Sequence, residues 1–191
     1  MDETVLAAIA RWPDVPHVYG WLSLTARGEW RLRGEPIANA AMREFIGRNY
    51  ASDERGRWYF QNGPQRVYVA LELAPFVYRL QSDGRLCTST SLMPARLHAA
   101  ALVDGAAFVL LTDVGPGNID DRDAERFLSA LTDSKGRSLG EAAMERALGG
   151  EQPLWVSAAR LGLGDSIVPV QRLGVEALAA AFGFVADPQA P

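Results

Sequence analysis

The stretch GRWYFQNGPQRVYVALELAPFVYRLQSDGRLCTST, residues 56–90, carries the clearest pattern in this 191-residue chain. Apolar and polar residues alternate on both sides of Asn62-Gly63, a dipeptide typical of a tight turn between antiparallel strands. The alternation resumes after Pro75 and continues on both sides of Ser82-Asp83-Gly84, a second turn signal. The stretch therefore predicts one antiparallel β-meander with strands at residues 56–61, 65–73, 76–81 and 85–90.

This alternation divides the predicted meander into two faces, because successive side chains of a strand point to opposite sides of the sheet. One face is apolar and consists of Trp58, Phe60, Val67, Val69, Leu71, Phe76, Tyr78 and Leu80. The other face is rich in arginine and tyrosine and consists of Arg57, Tyr59, Gln61, Arg66, Tyr68, Glu72 and Arg79.

The arginine and tyrosine face is the candidate binding site. These residue types combine a large contact area with directional polar groups, and a planar guanidinium suits a carboxylate or a phosphate. The alternative is an ordinary solvated sheet face on which tyrosines and arginines pack across the strands. The binding hypothesis predicts a small anionic molecule or a protein partner, held by Arg57, Tyr59, Arg66, Tyr68 and Arg79.

The remainder of the chain mixes strand and helix patterns. Apolar residues at helical spacing predict helices over residues 2–11, 38–49, 121–132 and 174–182. Ser138 and Glu141 match a capping box, which predicts a further helix ending at Gly149-Gly150. We therefore expect an α+β fold in which the antiparallel β-meander packs with helices.

Charge is distributed unevenly along the chain. Residues 1–100 carry 12 basic and 10 acidic side chains, whereas residues 101–191 carry 7 and 13. Aromatic residues also concentrate in the first half, which contains all five tyrosines. We therefore expect two subdomains, an N-terminal one at residues 1–94 that contains the meander and an acidic one at residues 95–191.

Composition excludes several classes of function. A net charge of −4 argues against a nucleic-acid-binding protein, because such proteins neutralise phosphates with basic side chains. The single cysteine, Cys87, cannot form an internal disulfide and suggests a reducing compartment. Because the sequence shows no signal peptide and no apolar run of membrane-spanning length, we expect a cytoplasmic protein that binds neither a membrane nor a cofactor. The oligomeric state stays open.

An aspartate-rich loop is the alternative site. Carboxylates at this density in a loop can hold Mg²⁺ or Ca²⁺, which would favour a metal-assisted hydrolase. The simpler interpretation is the solvated and capped start of a helix. The residues concerned are Asp113, Asp120, Asp121 and Asp123. A third hypothesis is a structural or assembly component without a small ligand.

Residues 28–37 read Gly-Glu-Trp-Arg-Leu-Arg-Gly-Glu-Pro-Ile and match a G-x-W-x-x-x-G-x-P-I pattern. In this respect the chain resembles an uncharacterised proteobacterial family, domain of unknown function 1285, or a sister family of it. Met42 with Phe45 or Ile46, and the segment Ala74-Pro75-Phe76, also resemble that family. Arg27 is a departure, because the family pattern has aspartate there.

The resemblance covers residues 20–80. It implies a bacterial α+β protein of two β-rich subdomains with a repeated motif. It implies no established activity, and a role in signalling or ligand binding is all that has been suggested for the family. No catalytic residue is carried over. Within the chain, the one short echo pairs Gly28-Glu29-Trp30-Arg31-Leu32 with Gly84-Arg85-Leu86.

Overall fold

The computed structural model of the protein describes residues 1–190. These residues pack into two compact units. Unit 1 contains Met1–Pro75 and the C-terminal segment from Ala179 onward, and unit 2 contains Phe76–Leu178. The end of the chain therefore belongs to the same unit as its beginning.

Six strands in the described part of unit 1 form one mixed sheet. The elements are α1 (Glu3–Arg11), β1 (Val18–Leu24), β2 (Trp30–Leu32), β3 (Glu35–Pro36), α2 (Ala40–Arg48), β4 (Tyr50–Ser52), β5 (Trp58–Asn62) and β6 (Gln65–Leu71). Their spatial order is β3-β2-β1-β6-β5-β4. The central pair, β1 and β6, is parallel, and the other neighbours in this order are antiparallel.

The core of unit 1 is aromatic. Phe45 of α2 meets Phe60 of β5 edge to face, with the ring centroids 5.4 Å apart. Tyr50 lies between Trp30, at 5.1 Å, and Trp58, at 5.0 Å. Such aromatic pairs contribute about 1 kcal/mol each beyond the area they bury. The face of the sheet that packs against α2 is therefore the apolar face predicted for β5.

Unit 2 contains a second mixed sheet, which has eight strands in the described chain. Its elements are β7 (Phe76–Leu80), β8 (Leu86–Thr88), β9 (Leu97–Val103), β10 (Ala107–Thr112), β11 (Pro116–Ile119), α3 (Ala124–Leu128), β12 (Leu131–Thr132), α4 (Glu141–Gly149), β13 (Trp155–Ser157) and β14 (Ile167–Leu173). The last helix, α5 (Val175–Phe182), begins in unit 2 and ends in the C-terminal segment.

Two parallel pairs organise the sheet of unit 2. The spatial order is β12-β13-β14-β9-β10-β11-β7-β8, with β14 parallel to β9 and β11 parallel to β7. The apolar core lies against this sheet, and Phe127 of α3 at its centre is fully buried, with its ring 4.9 Å from that of Phe108. The helices and the two mixed sheets confirm the α+β class.

Both predicted hairpins exist, but they belong to different sheets. β5 pairs with β6 around Asn62-Gly63, and β7 pairs with β8 around Ser82-Asp83-Gly84. The prediction of one continuous meander is wrong, because β7 takes β11 rather than β6 as its second neighbour. Pro75, which lacks a backbone N–H, is the last residue of the N-terminal segment of unit 1. The boundary predicted between residues 94 and 95 falls inside unit 2.

The predicted helices are present, with two differences. The helix expected over residues 121–132 is a 3₁₀ turn at Asp121–Asp123 followed by α3, and its last two residues form β12. Helix α4 begins at Glu141 as expected, but its N-cap is Gly140 and no side chain caps it. The capping-box interpretation of Ser138 is therefore wrong. No helix in the described residues is long and apolar enough to span a membrane.

Four turns in the described chain that have a glycine at the fourth position share one geometry. In each, the backbone N–H of the first residue donates to the carbonyl of the fifth. The backbone N–H of the fourth residue donates to the carbonyl of the first. The fourth residue is always a glycine with positive φ, a conformation that favours glycine. The turns are residues 25–29, 53–57, 81–85 and 133–137. The echo between Gly28 and Gly84 in the sequence is therefore a recurring turn.

Replacing Gly117 with alanine is expected to destabilise unit 2. A Cβ at this position would lie 2.5 Å from Cε2 of the buried Tyr78 ring, so the ring or the strand must move. Overpacking of this kind costs about 2 kcal/mol. The measurement is the free energy of unfolding in urea. Gly149→Ala in α4 is the control, because its Cβ would meet no atom within 4 Å. Equal stability of the two variants would contradict the prediction.

Candidate functional site

Strands β5 and β6 bring four of the five predicted binding residues together. Tyr59 on β5 pairs directly with Tyr68 on β6. Since Phe60 points to α2, its neighbour Tyr59 lies on the opposite face, and Tyr68 shares that face. Arg66 lies on the same side two residues before Tyr68, and Arg57 immediately precedes β5.

Tyr68 occupies the centre of an aromatic layer. Its ring stacks on Tyr19 of β1 with the centroids 4.7 Å apart and the planes at 10°. The Tyr59 ring meets it edge-on at 5.8 Å. Tyr68 is only 1% exposed. It is therefore a core residue of this face, and its role is to hold the surrounding side chains in place.

The hydroxyl of Tyr68 joins an ion pair at the turn before β5. It donates to Oδ2 of Asp53 at 3.1 Å and accepts from Nη2 of Arg57 at 3.1 Å. Arg57 and Asp53 also form a salt bridge of 2.7 Å. The second oxygen of Asp53 accepts from the backbone N–H groups of Arg55 and Arg57, at 3.0 Å each. Both carboxylate oxygens are thus engaged within the protein.

The environment makes both Tyr68 and Asp53 poor proton acceptors at neutral pH. Burial raises the pKa of the Tyr68 hydroxyl above its ordinary value, so the group stays protonated. Burial also raises the pKa of Asp53, but the hydrogen bonds from Arg57 outweigh it, and the pKa lies below its ordinary value. Asp53 therefore remains a carboxylate that is neutralised by Arg57.

Arg66 and His17 lie beside this network with fewer internal contacts. The guanidinium of Arg66 lies 4.6 Å from the centre of the Tyr59 ring, and Arg66 has no ion pair with any described residue. The exposed imidazole of His17 meets the Tyr68 ring edge-on at 5.6 Å. Partial burial lowers the pKa of His17, and the positive charges of Arg66 and Arg57 lower it further. We call the group the Tyr–Arg cluster: His17, Tyr19, Asp53, Arg57, Tyr59, Arg66 and Tyr68.

An open groove adjoins the Tyr–Arg cluster on the same face of the sheet. Ala70 follows Tyr68 by two residues and pairs with Ser23 of β1. Both residues line the groove, and their side chains are small. The groove has a volume of about 350 Å³, and its lining includes Arg31 and Asp187.

Arg79, the fifth predicted binding residue, does not belong to this group. It lies on β7 in unit 2, whereas the other four lie in unit 1. Its Nε donates to Oδ2 of Asp123 at 2.8 Å and lies 3.5 Å from Oδ2 of Asp120. The prediction that Arg79 shares a face with Arg66 is wrong, because β6 and β7 are not neighbours in one sheet.

The aspartate-rich loop forms ion pairs with arginines. Asp120 and Asp123 are buried, and Arg122 holds Asp120 through a short salt bridge of 2.6 Å. Arg126 binds the other oxygen of Asp123 at 3.1 Å. Asp113 lies apart from them and accepts from the backbone of residues 95 and 96, while Asp121 is exposed. Within residues 1–190, no group of three metal-ligating side chains forms.

The sequence alone did not identify three members of the cluster, of which Asp53 lies in the turn just before β5 and the other two lie far away in the chain. Tyr19 and His17 come from β1 and the residue before it, nearly 50 positions away from Tyr68. The parallel pairing of β1 with β6 brings them to this face. Parallel neighbours leave no turn signal between them, so periodicity in one segment cannot identify its partner.

Removing the hydroxyl of Tyr68 is expected to destabilise unit 1. Tyr68→Phe keeps the ring stack but removes the two hydrogen bonds of the hydroxyl with Asp53 and Arg57, which costs about 1–2 kcal/mol. The free energy of unfolding in urea measures the loss. Tyr19→Phe is the matched control, because it removes a hydroxyl that makes no hydrogen bond with the described residues. An equal decrease in the free energy of unfolding of both variants would contradict the prediction that the hydrogen bonds of the Tyr68 hydroxyl stabilise unit 1.

Asp120 is expected to contribute to stability above pH 4 and to lose that contribution in acid. Burial raises its pKa, but the hydrogen bonds from Arg122 outweigh this and lower the pKa to about 2, from 3.8. The folded pKa is depressed, so the contribution of about 2 kcal/mol is present above the unfolded pKa and disappears as the pH falls through 2. Urea unfolding of Asp120→Asn and of the exposed control Asp165→Asn, at pH 7 and pH 2.5, measures it. A variant Asp120→Asn that matches the control at pH 7 would refute the prediction.

Comparison with known proteins shows the family of the chain. No curated protein matches the sequence. Two crystal structures of DUF1285 family proteins match the fold. One, from Silicibacter pomeroyi DSS-3, is 16% identical, covers 90% of this chain and 96% of its own, and has a TM-score of 0.51. The other, from Shewanella baltica OS155, is 17% identical, covers 56% of this chain and 89% of its own, and has a TM-score of 0.43.

The first similarity confirms the resemblance seen in residues 28–37, and it covers both units. At this level of identity it concerns the fold alone. A family of unknown function matches residues 1–189, almost the whole chain. The protein belongs to that family, DUF2944, which is described as a protein of unknown function (DUF2946).

Proposed function

We propose that the protein is a non-catalytic binding protein and that its ligand is a small anionic molecule held by the Tyr–Arg cluster. The observation that carries the proposal is the position of Arg66. Its guanidinium lies on the Tyr59 ring without an ion pair among the described residues, next to Arg57 and His17. The cluster thus holds two guanidinium groups and one carboxylate, and Asp53 is already engaged.

The rings make this arrangement suitable for binding. A guanidinium that lies on an aromatic face loses little conformational freedom when it binds an anion, because the ring already restricts it. Its planar N–H groups match the spacing of carboxylate and phosphate oxygens. Tyr68 and Tyr19 give the site a rigid base, since they stack on each other across the central strand pair.

The same chemistry favours binding over catalysis at this site. Tyr68 is protonated and buried, and Asp53 is neutralised by Arg57. Neither group is therefore available at neutral pH as a nucleophile or a general base. A binding protein of this kind fits a regulatory role, in which occupancy of the cluster is the signal. We place it in the cytoplasm of a bacterium, in agreement with the single free cysteine and with the sources of the similar structures.

Binding of inorganic phosphate is the first test of this function. In an NMR titration of the ¹⁵N-labelled protein, phosphate is expected to shift the amide signals of residues 57–59 and 66–68 and to saturate at millimolar concentration. Arg66→Gln should weaken the affinity about tenfold or more, because a hydrogen bond to a charged group is lost.

Arg146→Gln is the matched control, since Arg146 is an exposed arginine on α4 in unit 2. It should bind phosphate as the unmodified protein does. The spectra also show whether each variant is folded. Phosphate that shifts no signal of the cluster, or that binds Arg66→Gln with unchanged affinity, would overturn the proposed function.

A further inference from the structure

We infer that His17 is a further ligand-binding residue of the Tyr–Arg cluster, which binds the anion together with Arg66 and takes up a proton when it does so. This inference rests on the proposed function and adds to it the regulation of the site by pH. It also identifies the ligand as an oxyanion, whose oxygens can accept from an imidazolium and a guanidinium at the same time.

A side-chain hydrogen bond and a backbone pairing place His17 beside Arg66. The carbonyl of Pro16 accepts a hydrogen bond of 3.0 Å from the side chain of Gln65. Val18 pairs with Val67 in the parallel ladder of β1 and β6. His17 lies between the two contacts on its own segment, and Arg66 lies between them on β6. The two side chains are therefore neighbours across the ladder.

The two side chains also lie on the same face. The imidazole meets the ring of Tyr68, and Tyr68 and Arg66 are two residues apart on β6, so all three point to one side of the sheet. The His17 side chain is exposed, and no described residue accepts or donates a hydrogen bond at its ring. Its N–H groups are thus open to a ligand that approaches from solvent.

The charges around His17 oppose its protonation when no anion is present. Arg66 on β6 and Arg57 before β5 are positive, and both lower the pKa of His17 in addition to partial burial. Asp53 in the turn acts in the opposite direction, but it is shared with Arg57 and the Tyr68 hydroxyl. The remaining titratable groups that face the cluster are the hydroxyls of Tyr19, Tyr59 and Tyr68.

An oxyanion that binds between Arg66 and His17 favours protonation of the imidazole instead of opposing it. Its negative charge offsets the guanidinium groups and attracts the proton to the imidazole. Binding and protonation are reciprocal, so an anion that favours the imidazolium also binds more tightly when the pH is low. The affinity should therefore rise as the pH falls through the ordinary range of histidine, near 6.5.

Sulfate is the probe, because it keeps two negative charges between pH 5 and pH 8 whereas phosphate titrates in this range. The sequence contains two histidines, His17 and His98, so NMR can follow both imidazoles in one sample. Saturating sulfate is expected to raise the titration midpoint of His17 by about one pH unit and to leave that of His98, in unit 2, unchanged. The sulfate affinity should increase about tenfold from pH 8 to pH 5.

Two variants separate this inference from the proposed function. His17→Gln should bind sulfate with the same affinity at pH 8 and pH 5, whereas the control His98→Gln should keep the tenfold increase. Sulfate binding at the cluster that is independent of pH, with an unmoved midpoint of His17, would overturn the inference and leave the proposed function intact. Failure of sulfate to bind at any pH would overturn both.

Discussion

The parallel pairing of β1 with β6 is the constraint on which the rest of unit 1 depends. It lies at the centre of the six-stranded sheet and joins segments nearly 50 residues apart in the chain. On one face it places Leu22 and Leu24 in the apolar core with the aromatic residues of β5. On the other face it stacks Tyr19 on Tyr68. The core and the candidate site are therefore two sides of the same strand pair.

A comparable constraint organises unit 2. Residues just beyond the end of β11 form hydrogen bonds with β7 and extend the contact between these two parallel strands. The backbone N–H of Asp120 donates to the carbonyl of Tyr78, and the carboxylate of Asp123 accepts from the N–H of Leu80 and from Arg79. Buried carboxylates are stable only where such partners satisfy them. Two of the four aspartates that resemble a metal site in the sequence, Asp120 and Asp123, thus belong to the packing of the sheet.

Local signals in the sequence predicted the local structure, but they did not predict which strands pair when the strands are far apart in the chain. Asn62-Gly63 and Ser82-Asp83-Gly84 identified two hairpins, and alternation placed Tyr59, Arg66 and Tyr68 on one face of the first. The same alternation continued past Pro75 and gave no sign that β7 belongs to another sheet. The error with Arg79 follows from this, because residues share a face only when their strands share a sheet.

The sequence also did not predict which side chains of the candidate site are buried. Alternation predicted the side to which Tyr68 points, but whether that side is covered depends on Tyr19, which comes from β1. The absence of His17 from the predicted site has the same origin. A histidine before a short strand carries no signal of its own, and only the parallel ladder places it opposite Arg66.

The recurring turn shows how a common structural element becomes part of a candidate site. Three of its copies hold an aspartate and an arginine in a salt bridge of 2.7 Å. In the copies of unit 2 the arginine side chains are 63% and 71% exposed, so the pairs lie in water and contribute little. In unit 1 the Arg57 side chain is 22% exposed and lies against Tyr68. Reduced access to water strengthens the field of its charge. The aromatic strands, rather than the turn itself, therefore distinguish this copy from the other two.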